Sequence, residues 1–109
     1  MELETILELS DDAAAEGEYE TAYHLLMAAL HVAEHRSDHD AVERIAAVGA
    51  RLGAAVEAVT PPHRVSRDEA RTRGHTAIFD SLETHAKAVR LRLESAARLA
   101  KAKASAARA

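Results

Sequence analysis

Apolar residues recur along this chain at steps of three and four, the period of an amphipathic helix. Leu3, Ile6, Leu7, Ser10, Ala13 and Ala14 share one face of a helix predicted from about Glu2 to Glu16. Gly17 should end it, because helices commonly close on a residue that tolerates positive φ. A second helix follows from about Glu18 to His35, with Tyr19, Ala22, Leu26, Ala29, Leu30 and Ala33 on its inner stripe. Ser37, with Asp40 three residues on, has the form of a capping box opening a third helix over Asp38 to about Val59. Val42, Ile45, Gly49, Leu52, Val56 and Val59 repeat there in a heptad rhythm. Gly49 and Gly53 lie four apart among alanines and predict a small-residue packing surface.

Thr60-Pro61-Pro62 must break that helix, since proline removes a backbone donor and restricts the residue before it. Ser66 and Glu69 form a second capping box over a short helical turn, which Gly74 interrupts. From about Thr76 the rhythm returns in Phe79, Leu82, Ala86, Val89, Leu93, Ala96 and Ala100. This last helix should reach Ala104, about 45 Å at the usual rise. It is longer than the helices it must pack on, so its C-terminal third should overhang or meet another chain. The prediction is all-α: an antiparallel helical bundle of four principal helices forming one domain over residues 1–109. Its parts are a hairpin (1–35), a third helix (38–59), a Pro/Arg-containing linker (60–75) and a long basic helix (76–104).

The opening spacing, with Gly17, Tyr19, Ala22, Leu26, Ala29 and Leu30, resembles the turn and second helix of a tetratricopeptide repeat. Ile6, Leu9 and Ser10 fall where that family has tryptophan, leucine and a small residue. The resemblance covers residues 3–34, and Glu34 departs from the family's closing proline. It implies a helical hairpin that binds protein and stacks on neighbours, since one repeat cannot bury its own face. A shift of 34 residues brings Arg51 and Gly53 onto Gly17 and Tyr19, so no second copy of the motif follows.

Composition narrows the partners. Hydrophobic residues make up 48% of the 109, but much of that is alanine, which buries little area. A core this thin favours burial against a second molecule. The expected association seam, a homodimer or a contact with an unidentified protein partner, is Val42, Ile45, Leu52, Val56, Leu82, Val89 and Leu93. The chain has no cysteine, which removes disulfides, thiolate zinc sites and cysteine nucleophiles. An acidic start unlike a signal peptide and the lack of a long apolar run predict a cytoplasmic protein that does not enter membranes.

Charge is divided sharply. Residues 1–60 carry 3 Lys/Arg against 13 Asp/Glu, and residues 61–109 carry 11 against 5. Antiparallel helices pairing these surfaces within one molecule account for such a division, as does pairing between two copies. Lys87, Arg90, Arg98 and Lys101 form a basic stripe able to contact an anion, nucleic acid included. No aromatic residues interleave it for base stacking. His24, His31 and His35 share a stripe of the second helix and are candidate ligands for a transition metal. No cofactor is otherwise implied. No nucleophile elbow or phosphate loop occurs, so a non-catalytic interaction or regulatory module is the expected function.

Overall fold

The computed structural model describes residues 2–108; Met1 and Ala109, the ends of the expected domain, lie outside the described residues. Five helices account for most of it: α1 (Leu3–Ala15), α2 (Tyr19–His35), α3 (His39–Glu57), α4 (Arg67–Thr72) and α5 (Ile78–Arg108). No strand occurs among the described residues. Four of the helices are long, and α4 is a short one within the expected linker.

The helix ends follow from local chemistry. At the end of α1 the Gly17 N–H donates to the Ala14 carbonyl and the Glu18 N–H to the Ala13 carbonyl, with Gly17 at φ 78°. That paired closure satisfies carbonyls a helix end would otherwise orphan. α4 closes in the same way, Gly74 N–H to Arg71 and His75 N–H to Ala70, with Gly74 at φ 76°. The end of α2 repeats the pattern without glycine: Ser37 sits at φ 51° while Ser37 and Asp38 donate to Glu34 and Ala33. Ser37 is therefore the left-handed residue that closes α2, not the cap that opens α3. The cap is Asp38, whose carboxylate accepts the Ala41 N–H at 3.0 Å. Ser66 caps α4 as expected, its hydroxyl accepting the Glu69 N–H at 3.3 Å.

Long-range pairs give the helix directions. Glu4 meets Arg44 and Asp11 meets Arg51, so α1 and α3 run the same way. Gly53 faces Phe79, Gly49 faces Leu82 and Glu43 meets Arg90, so α3 and α5 run oppositely. Tyr19 and Tyr23 lie beside Phe79 while Glu34 meets Arg92, so α2 and α5 run the same way. α1 packs on α2, α2 on α3 and α5, and α3 on α5, whereas α1 and α5 share no substantial contact. The helices form an open stack of two hairpins, α1–α2 and α3–α5, measuring 63 × 30 × 16 Å.

The core lies between the hairpins. Ala22, Leu26, Ala29 and Ala33 of α2 are wholly buried, the alanines letting neighbouring helices approach closely. Ser10, also wholly buried, donates its hydroxyl to the Ala22 carbonyl at 3.4 Å across the first hairpin. No buried side-chain nitrogen or oxygen among the described residues lacks a partner. Such pairing matters because an unmatched buried polar group costs about 1–3 kcal/mol.

Two expectations change here. Val42, Ile45, Leu52, Val56, Leu82, Val89 and Leu93 are all buried inside the single chain, 0–6% exposed. They join α3 and α5 to the rest of the stack, so the seam expected between molecules lies within one. The apolar spacing of the last helix puts Ala96 and Ala100 on its buried face, yet both are exposed. The stack stops beneath them: α2 ends at His35, α3 begins at His39, and Leu93 is the last buried residue of α5. Beyond it, residues 95–108 continue as a fully exposed helix that ends at Arg108 rather than Ala104.

Candidate functional site

Small side chains on α3 create a concavity beside α5. Ala46, Gly49, Ala50, Gly53 and Ala54 fall on one face of α3 and leave a half-open groove of about 540 Å³ against α5. The opposing wall is Phe79, Leu82, Glu83, Ala86, Lys87 and Arg90. The two helices come close because glycine permits it. A Cβ on Gly49 would stand 2.5 Å from Leu82 Cδ2, and one on Gly53 would stand 3.2 Å from Phe79 Cβ. The floor is apolar, while Glu57, Arg67 and Asp80 line one end.

Arg67 organises that end. Its backbone N–H donates to the Glu57 carboxylate at 3.0 Å, joining α4 to the end of α3. Its guanidinium grips Asp80 through two donors, Nε to Oδ2 at 3.0 Å and Nη2 to Oδ1 at 2.9 Å. Arg67 accordingly holds the Asp80 carboxyl below its ordinary value, against the smaller opposing effect of partial burial. The same chemistry acts at the rim of the stack, where Arg92 lowers Glu34 and Arg44 lowers Glu4.

The basic stripe expected to meet an anion divides in two. Lys87 pairs with Glu83 at 3.3 Å and Arg90 with Glu43. Arg98 donates to Ser95 Oγ at 3.2 Å, and Lys101 forms no ion pair among the described residues. The sharp charge division is thus partly answered within the chain: Glu20–Arg64, Glu34–Arg92 and Glu43–Arg90 join acidic and basic halves. Surface pairs of this kind contribute little stability individually.

The histidine stripe is not gathered into a ligand set. His24, His31 and His35 are exposed on α2, and no group of three His, Asp or Glu side chains suited to a metal occurs among the described residues. Two helical turns separate His24 from His31, about 10.5 Å of rise, too far for one ion to bridge. His63, a residue the sequence did not single out, has a structural place. Its Nδ1 accepts the Val65 N–H at 3.2 Å, leaving Nε2–H to donate to the Gly17 carbonyl at 3.3 Å. Its ring stands edge-on to Tyr19 with centroids 5.0 Å apart, and Phe79 stands edge-on to both Tyr19 and Tyr23. This cluster ties the post-α3 loop and the start of α5 to the first hairpin. No local spacing revealed it, because its members come from three separate segments.

No helix among the described residues is long and apolar enough to cross a membrane. No family model, curated protein or solved structure matches this chain.

Proposed function

We propose that this chain is a non-catalytic interaction module that receives a helix of a protein partner in the α3–α5 groove. The groove itself carries the reading: an elongated, small-residue floor between two antiparallel helices, rimmed by charges. A floor of alanine and glycine admits the backbone of a third helix closely, and apolar ridges can then interdigitate at the usual helix-packing distance of about 8–10 Å. Recognition of an amphipathic helix in a groove is a recurrent use of this geometry.

The stacking supports the same reading. Two hairpins in parallel register resemble a pair of tetratricopeptide-type units, and the groove lies where a third unit would add its first helix. Arg90 is already engaged by Glu43 of the same chain, which favours a helix partner over a phosphate backbone.

A library of displayed amphipathic helical peptides, selected on the whole chain, tests the proposal. Helical peptides that bind the wild type and lose binding to an Ala50→Arg variant support it. Ala50 is exposed at the groove, so arginine there blocks the floor without entering the core. Failure to enrich any helical peptide on the wild type over the variant would overturn it.

A further inference from the structure

The groove-side edge of α5 carries six charged residues in an arrangement that reads the same backwards with every sign reversed. Asp80, Glu83 and Lys87 are followed by Glu94, Arg98 and Lys101, at successive steps of three, four, seven, four and three residues. Steps of three and four keep them within one strip of the helix surface. The midpoint falls between Arg90 and Leu91. Asp80 and Lys101 are equidistant from it, as are Glu83 and Arg98, and Lys87 and Glu94. Two such helices laid antiparallel about that midpoint oppose acid to base at all six of these positions, each pair occurring twice, while Arg90, held by Glu43 of its own chain, falls opposite Leu91.

We infer that a second copy of this chain occupies the α3–α5 groove, its α5 antiparallel to the first α5 and centred between Arg90 and Leu91. The inference rests on the reading of the groove as a helix-binding site and names its occupant. Three independent features converge on it. The overhanging part of α5 is helical, exposed and without a partner in its own chain. Asp80, Glu83 and Lys87 line the groove, while Glu94 stands at the root of the overhang and Arg98 and Lys101 lie on it, so the pairing drapes the overhang of each copy across the groove of the other. Leu91, 61% exposed, stands beside the two-fold axis, where a partner would cover it. An isologous contact of this kind closes on itself as a two-fold dimer.

Existing pairs do not obstruct it. Asp80 already accepts two donors from Arg67, and a carboxylate has acceptor capacity left for Lys101. Lys87 and Glu83 form an exposed pair on one helix, which exchanges readily for contacts across the axis. Glu94 forms no ion pair among the described residues.

Charge reversal tests the register. In sedimentation equilibrium, Glu83→Lys places like charges together twice per dimer, and so does Arg98→Glu. Each is expected to raise the dissociation constant of the dimer about tenfold or more. The double variant, with both changes in one chain, regenerates an opposite pair and should return to within about threefold of wild type. Both positions are exposed, so the fold is not at risk. Orientation is read separately by spin labels, which is direct because the chain has no native cysteine. Labels at Ala96→Cys should lie about 20 Å from their symmetry mates, and labels at Lys103→Cys about 40 Å, from the helical rise and an interaxial distance of about 10 Å. A wild type that stays at 11.7 kDa to about 500 μM overturns the inference and leaves the groove reading to the peptide selection. A dimer indifferent to both reversals, or equally short distances at both labels, overturns this surface while self-association stands.

Discussion

Gly49→Ala isolates the close approach of α3 to α5. On an exposed helix the change would stabilise by about 1 kcal/mol, because alanine restricts the unfolded chain and favours the helix. Here the new methyl carbon stands 2.5 Å from Leu82 Cδ2, well inside the roughly 3.5–4.0 Å of an ordinary carbon contact. Leu82 is 1% exposed in a core that also holds Val56, Ile45 and Ala86, so it cannot swing away without leaving its site. Forcing a methyl into such a place costs about 1–3 kcal/mol, and the net expected effect is a loss of about 1 kcal/mol. For a domain of this size that lowers Tm by about 4–8 °C. Thermal unfolding followed by circular dichroism measures it. Leu82→Ala alone should cost about 2–5 kcal/mol, and the pair less than the two effects added, since the methyl introduced at position 49 then fills vacated volume. A Gly49→Ala protein with a raised Tm, or strictly additive effects in the pair, would refute the account of how these helices touch.

Ser37→Gly should stabilise by about 0.5–1 kcal/mol in urea titration, because Ser37 holds a left-handed φ of 51° that glycine adopts without cost. Gly17→Ala should destabilise by about 1 kcal/mol through backbone strain alone, since a Cβ there meets nothing within 4 Å. Acid should weaken the fold. The folded carboxyls of Asp80, Glu34 and Glu4 sit below their ordinary values of 3.8, 4.5 and 4.5, so the stability they lend is present above those values. It is lost as pH falls through the lowered folded values, and urea midpoints at pH 7 and pH 3 should differ less in 1 M salt than at low salt. In dilute solution, amides of residues 98–108 should exchange with solvent far faster than those of α2, whose inner face is sealed; equal protection would contradict an unsupported overhang.

Much of this architecture is legible in residue spacing. The buried stripes of α1, α2 and α3 are the apolar positions that recur at three and four, and Gly17, Gly74 and Ser66 act at the ends where their chemistry places them. Ser37 misleads because serine serves both as a cap and, less often, as a left-handed closer; Asp38 beside it makes the better cap. Periodicity also cannot tell an intramolecular partner from an intermolecular one. The heptad faces of α3 and α5 look unsatisfied only because their reach to one another across the proline break is invisible in the chain. Gly49 and Gly53 foreshadow the groove, but its floor needs Ala46, Ala50 and Ala54, which alanine-rich composition does not distinguish from any other helical alanine. Ala96 and Ala100 continue the stripe past the point where the stack stops, and only the lengths of the neighbouring helices decide where burial ends.

While it stays helical, as packing against a partner would keep it, the end of α5 is a rod anchored at Leu93. A fluorophore or fused domain attached near Arg108 would be held about 20 Å beyond the stack in a fixed direction. Deleting one residue from the rod would swing such a cargo through about 100° around the axis while scarcely changing its distance. The rod therefore sets the bearing of whatever it carries, which a flexible tether of equal length could not do.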